Sequence, residues 1–104
     1  MSSSTMDPIQ LTDRLEHVVL VSPLLLERPM VGSGAYAVSA RHLIESELRS
    51  LNTPFDLRIA ASLGWALVGY DAAIVRIEQV LKAFEAAGYP VISWESLPHM
   101  QKGR

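Results

Sequence analysis

Cysteine is missing from all 104 residues. That absence excludes disulfides, thiolate metal sites and cysteine nucleophiles, and it leaves the redox compartment unmarked. Positive charge is not in excess either. Nine lysines and arginines stand against eleven aspartates and glutamates, a net charge of −2. A nucleic-acid surface normally shows a basic stripe, so this balance argues against one. Long hydrophobic runs are also lacking. The longest, Val18 to Leu26, is broken by Ser22 and Pro23 and falls far short of the ~20 apolar residues that span a bilayer. Met1 to Pro8 is polar and carries no basic region, so it does not read as a secretory signal. No catalytic set assembles: the serines lie in a leader, loops and a helix, without a histidine and a carboxylate at a suggestive spacing. The expectation is a cytoplasmic, non-catalytic protein with no cofactor and no membrane span.

What is present is enough for one core. Apolar residues make up 49% of the chain, and its length fits a single domain. A disordered leader is expected over residues 1–12, one domain over 13–97 and a polar tail over 98–104. Val18 to Val21 is β-branched and short, which predicts a buried strand. Residues 24–31 read as a connecting segment with some buried leucines, because Pro29 disfavours a continuous helix. From Ala37 the period changes. Ala37, Ala40, Ile44, Leu48 and Leu51 share one helical face, with Arg41, Glu45, Ser46 and Arg49 on the rest. Asn52-Thr53-Pro54 ends that helix, since the residue before a proline is pushed out of the helical region.

Phe55 to Ala60 alternates apolar and polar, Ser62-Leu63-Gly64 supplies a turn, and Trp65 to Tyr70 returns as the second strand of a hairpin. Alternation puts Trp65 and Leu67 on one face, where core packing is expected, and Trp94 is read in the same way. Asp56 is read as a strand residue and Asp71 as a helix cap. Ile77, Val80, Leu81, Phe84 and Ala87 define a second amphipathic helix, and Gly88 stands where a left-handed C-terminal residue is usual. Val91 to Trp94 reads as a last strand. The order strand, helix, strand, strand, helix, strand predicts an α+β, ferredoxin-like βαββαβ domain: a four-stranded antiparallel sheet with two helices on one face.

Two stretches carry a resemblance: LRIAASLGWALVGYD, from Leu57 to Asp71, and IEQVLKAFEAA, from Ile77 to Ala87, followed by Gly88-Tyr89. They resemble the central hairpin and closing helix of the heavy-metal-associated (HMA) domain family, which includes copper chaperones and the amino-terminal modules of metal-transporting P-type ATPases. Ile44-Glu45, Leu48 and Leu51 match that family's first helix, so the likeness runs from Val18 to Trp94 with an insertion at 24–33. The family holds its metal in a Gly-Met-x-Cys-x-x-Cys loop at the start of the first helix. Here Gly34 falls on the glycine, Ala35 on the methionine, and Ala37 and Ala40 on the two cysteines. A methyl group cannot coordinate an ion, so metal carriage is not implied.

What the resemblance implies instead is a protein-interaction or regulatory module in a metal transport or storage system, with a metal-transport P-type ATPase system as a possible partner. The family docks partners around the metal loop and first helix, which here offers Tyr36, Val38, Arg41 and His42. A rival reading is a rebuilt metal or small-anion site: Met30 and His42 as weak donors, or the backbone N–H groups of Gly32-Ser33-Gly34 at a helix N-terminus, assisted by Arg41. Against it, His42 reads more simply as a surface histidine, the glycines as a chain reversal, and His17 and His99 as solvent-facing residues. A third reading is a structural homodimer joined through an edge strand or a helix face.

Overall fold

The computed structural model describes residues 15–97, so the expected leader, the expected tail and His99 lie outside the described residues. Strand β1 spans Glu16–Val21, and a single helical turn, α1, covers Leu24–Glu27. A short hairpin of β2, Met30–Val31, and β3, Val38–Ser39, precedes helix α2, Ala40–Arg49. Strands β4, Phe55–Ala60, and β5, Trp65–Tyr70, form the central hairpin. Helix α3, Ile77–Ala86, and strand β6, Ser93–Ser96, close the chain. The main sheet has the order β4-β5-β1-β6 with every neighbour antiparallel. This is the ferredoxin-like arrangement expected from the order of elements.

Register explains which residues face the core. Directly paired residues share a face of an antiparallel sheet. One set of rows reads Phe55–Tyr70–Glu16, then Leu57–Val68–Val18–Ser96, then Ile59–Ala66–Leu20–Trp94. Its central members, Val18, Leu20, Leu57, Ala66, Val68 and Tyr70, are buried. Ile44 and Leu48 from α2 and Val80 and Phe84 from α3 complete the same core. Both helices therefore cover one face of the sheet.

Local chemistry sets the element ends. Ser39 caps α2: its side-chain oxygen accepts from the His42 N–H at 3.1 Å. Helix α2 thus starts at Ala40 rather than Ala37, because Ala37 is extended and Val38-Ser39 are committed to a strand. The helix ends at Arg49, and Asn52 turns the chain away with a φ of +56°. Asp71 caps a turn rather than a helix: its carboxylate accepts from the Ala73 N–H at 2.9 Å. Helix α3 begins six residues later, where the Gln79 side chain accepts from the Arg76 N–H at 3.0 Å.

The end of α3 explains why glycine is followed by tyrosine. Gly88, at φ +98°, donates to the Glu85 carbonyl at 3.0 Å, and Tyr89 donates to the Phe84 carbonyl at 2.9 Å. These are the two hydrogen bonds of a Schellman stop, and Tyr89 and Phe84 are both buried beside it. The last strand lies at 93–96, two residues beyond the expected span. The Ile92 N–H already donates to the Val21 carbonyl, and pairing with β1 continues from there.

Candidate functional site

The segment between β1 and α2 builds a corner at the start of α2. Met30 pairs with Ser39 and Val31 with Val38, which brings the two ends of the segment together. Gly32 (φ +92°) and Gly34 (φ +60°) lie at the tip, with a 3-10 turn over Gly34–Tyr36. A Cβ at Gly32 would stand 3.0 Å from the Tyr36 carbonyl oxygen, so the reversal itself demands glycine. The base is tied down on two sides. The Ala40 N–H donates to the Pro29 carbonyl at 2.9 Å, and the Tyr89 hydroxyl donates to the Arg28 carbonyl at 2.6 Å.

This construction lifts Tyr36 to 87% exposure, with Met30 and Val31 also exposed beside it. His42 is exposed on the first turn of α2. Arg41 is partly committed: its guanidinium donates to the Leu57 carbonyl on edge strand β4 at 3.1 Å and stands 3.9 Å from Glu45. Val38 is half-buried within β3, not displayed at a helix start.

The two alanines part company. Ala37 is half-buried, and its N–H closes the 3-10 turn on the Gly34 carbonyl at 3.2 Å. Ala40 is only 3% exposed and packs into the core with Ile44 and Leu48. A side chain at position 40 is buried in the core, whereas the resemblance puts both positions at the mouth between sheet and first helix. The glycine loop is displaced as well. Gly32 and Gly34 sit at the hairpin tip, while the N-terminus of α2 is satisfied by Ser39, so glycines and helix dipole do not converge. Met30 and His42 do approach the same residue, since Ser39 pairs with one and caps the other. Among the described residues, no three histidine, cysteine, aspartate or glutamate side chains gather in a group able to hold a metal ion. No helix among them is long and apolar enough to cross a membrane.

Two phenols near this scaffold are perturbed. Burial raises the Tyr89 pKa, with Arg28 opposing. Burial also raises that of Tyr70, with the negative charges of Glu16 and Glu78 adding to it. Neither reports a proton-transfer site, because both rings are enclosed in the core.

The other face of the sheet escaped the sequence reading. Its rows are Asp56–Gly69–His17, then Arg58–Leu67–Val19–Glu95, then Ala60–Trp65–Val21–Ser93. Trp65 and Leu67 belong here, on the side away from the helices, which corrects the expectation that they pack in the core. Trp94 does share the helix face, but on an edge strand, where it stays 43% exposed. Both alternating sets of β5 are apolar, so period alone could not choose between them. The signal that was available lies in β4: the hairpin pairs Leu67 with Arg58, on the side of Asp56, and pairs Ala66 and Val68 with Ile59 and Leu57.

Comparison with known proteins returns no match: no family model fits the chain, and no curated protein or solved structure aligns with it.

Proposed function

We propose that this chain is a non-catalytic protein-interaction or regulatory module on an HMA-like scaffold, working in the cytoplasm without a thiolate metal site. Its docking element is the hairpin corner of Met30, Val31 and Tyr36 with the neighbouring His42. The partner class to which the resemblance points is a protein of a metal transport or storage system. The observation that carries this reading is Tyr36. An aromatic ring on a glycine-built tip, 87% exposed and flanked by exposed Met30 and Val31, has no role in the core. Aromatic anchors of this kind dominate protein–protein contacts. Ala40 departs from the resemblance, because the position matched to a cysteine is buried in the core instead of lying at a mouth.

A photo-reactive phenylalanine analogue at position 36, expressed in the native host, tests it. The expected result is a discrete cross-linked protein that disappears when Val31→Asp is added and is not formed from the same probe at Glu85, far along α3. Equal adducts from both positions, or none from position 36, would refute the hairpin as a docking element.

The rival, a rebuilt metal site, draws on the approach of Met30 and His42 to Ser39. One imidazole and one thioether make an incomplete donor set, so the interaction reading is preferred.

A further inference from the structure

The face of the sheet away from the helices carries a pattern that fits a second copy of itself. Val19, Val21, Trp65 and Leu67 form a continuous apolar patch on β1 and β5. All four are half-buried, and none of them packs against the core cluster. Charge brackets this patch unequally. On the β4 side stands Arg58, 75% exposed, leaning on Asp56 at a loose 4.0 Å. On the β6 side, in the same row, stands exposed Glu95. The row therefore runs cation, Leu67, Val19, anion.

We propose that two copies associate sheet face to sheet face, about a two-fold axis parallel to the strands and lying between the sheets. A half-turn about that axis keeps each row at its own height and reverses its order. Arg58 of one copy then stands over Glu95 of the other, and Glu95 over Arg58. Leu67 meets Val19, and Trp65 meets Val21. Two-fold interfaces must be self-complementary, and this row satisfies that requirement in both its charged and its apolar positions. Aligned sheets pack about 10 Å apart, which the side chains of this patch are large enough to fill. A half-turn about an axis perpendicular to the strands instead stacks Arg58 near Arg58 and Glu95 near Glu95, so like charges exclude it. The proposal stands independently of the hairpin and its partner.

The footprint is small. Four strands at ~4.8 Å and three rows give less than the ~800 Å² per partner of a standard interface. Dissociation on the order of 10 μM is expected.

The test is sedimentation of the full chain from about 1 μM to about 0.5 mM, spanning that constant on both sides. Arg58→Glu alone and Glu95→Arg alone should each weaken the dimer at least ~10-fold, because each change strikes two symmetry-related pairs. The double variant, Arg58→Glu with Glu95→Arg, should restore it, since the reversed charges again face each other. Leu67→Asp should abolish it. Far-UV circular dichroism of each variant checks that the fold is retained, and the rescue excludes a folding defect as the cause. A chain that stays monomeric throughout overturns the proposal. So does a dimer indifferent to Leu67→Asp and to the charge reversals, because its interface lies elsewhere. A monomer in which Trp65, read in a Trp94→Phe background, resists acrylamide quenching also overturns it, by showing that the chain covers its own sheet.

Discussion

The two faces of this sheet differ in apolar content, nine of eleven paired residues on the helix-covered face against five of eleven on the other, and only the first makes the core. The helix-covered face presents Val18, Leu20, Leu57, Ala66, Val68 and Tyr70, which share one core with Ile44, Leu48, Val80 and Phe84. The other presents Trp65, Leu67, Val19 and Val21, rimmed by Arg58, Asp56 and Glu95. Apolar share and charge distinguish them: the helix-covered rows carry one charged residue, Glu16, at a corner, and the other rows carry Asp56, Arg58 and Glu95. A face that receives helices is apolar at its centre. A face that meets another surface keeps a large aromatic and a charged border.

The sharpest way to break this contrast is to hollow out one side. Phe84→Ala should cost about 3–5 kcal/mol of stability, read by urea denaturation, because the ring is fully enclosed between α3 and the sheet. Leu67→Ser, measured on dilute monomer, should cost only about 1 kcal/mol or less, since its side chain is partly in water already. Comparable losses at the two sites would mean that the faces are not different in kind.

Tyr89→Phe probes the seam between the core and the segment that precedes α2. It removes the hydroxyl that donates to the Arg28 carbonyl and should cost about 1 kcal/mol. It also bears on pH. The phenols of Tyr89 and Tyr70 are held above their ordinary pKa of about 10, chiefly by burial. An unfolded tyrosine releases its proton near that value and the folded one later, so the folded state binds more protons in between. Stability from this source is complete below about pH 10 and is lost as pH climbs through the folded-state values. Denaturation midpoints should therefore be flat from pH 8 to 9.5 and fall above pH 10. The fall should be shallower when both tyrosines are phenylalanine.

The smallest effect is expected at Ser22. Its hydroxyl is fully enclosed and makes no hydrogen bond among the described residues. Ser22→Ala should be neutral or stabilising by up to about 1 kcal/mol in the same denaturation assay, because an unmatched buried polar group is removed. A clear loss would show that the hydroxyl has a partner in solution.

Much of the fold was legible because local signals agreed. The alternation of Phe55–Ala60, the Ser62-Leu63-Gly64 turn and the stripe from Ile77 to Phe84 each specify one structure, and Gly88 stops α3 as its φ requires. The entry to α2 was less legible. Ala37 continues the helical period by coincidence, and tertiary pairing of Val31 with Val38 overrides it. Asp71 has the chemistry of a cap, but a turn claims it first. The exposed Tyr36 follows from flanking glycines visible in the sequence. The placement of Trp65 and Leu67 does not follow from β5 alone, whose two alternating sets are both apolar, and needs their pairing on the side of Asp56 and Arg58. Likewise Ala40 is one of five apolar residues on a stripe, and only packing reveals that it lies in the core rather than at a mouth.

On the proposed reading this scaffold works through surfaces rather than coordination, and titration of the full chain with copper(I), zinc and nickel against a chromogenic chelator, with His42→Ala in parallel, tests it. The account predicts that the chelator keeps the metal at one equivalent of protein and that His42→Ala changes nothing. A stoichiometric protein–metal complex that outcompetes the chelator and vanishes with His42→Ala would contradict it.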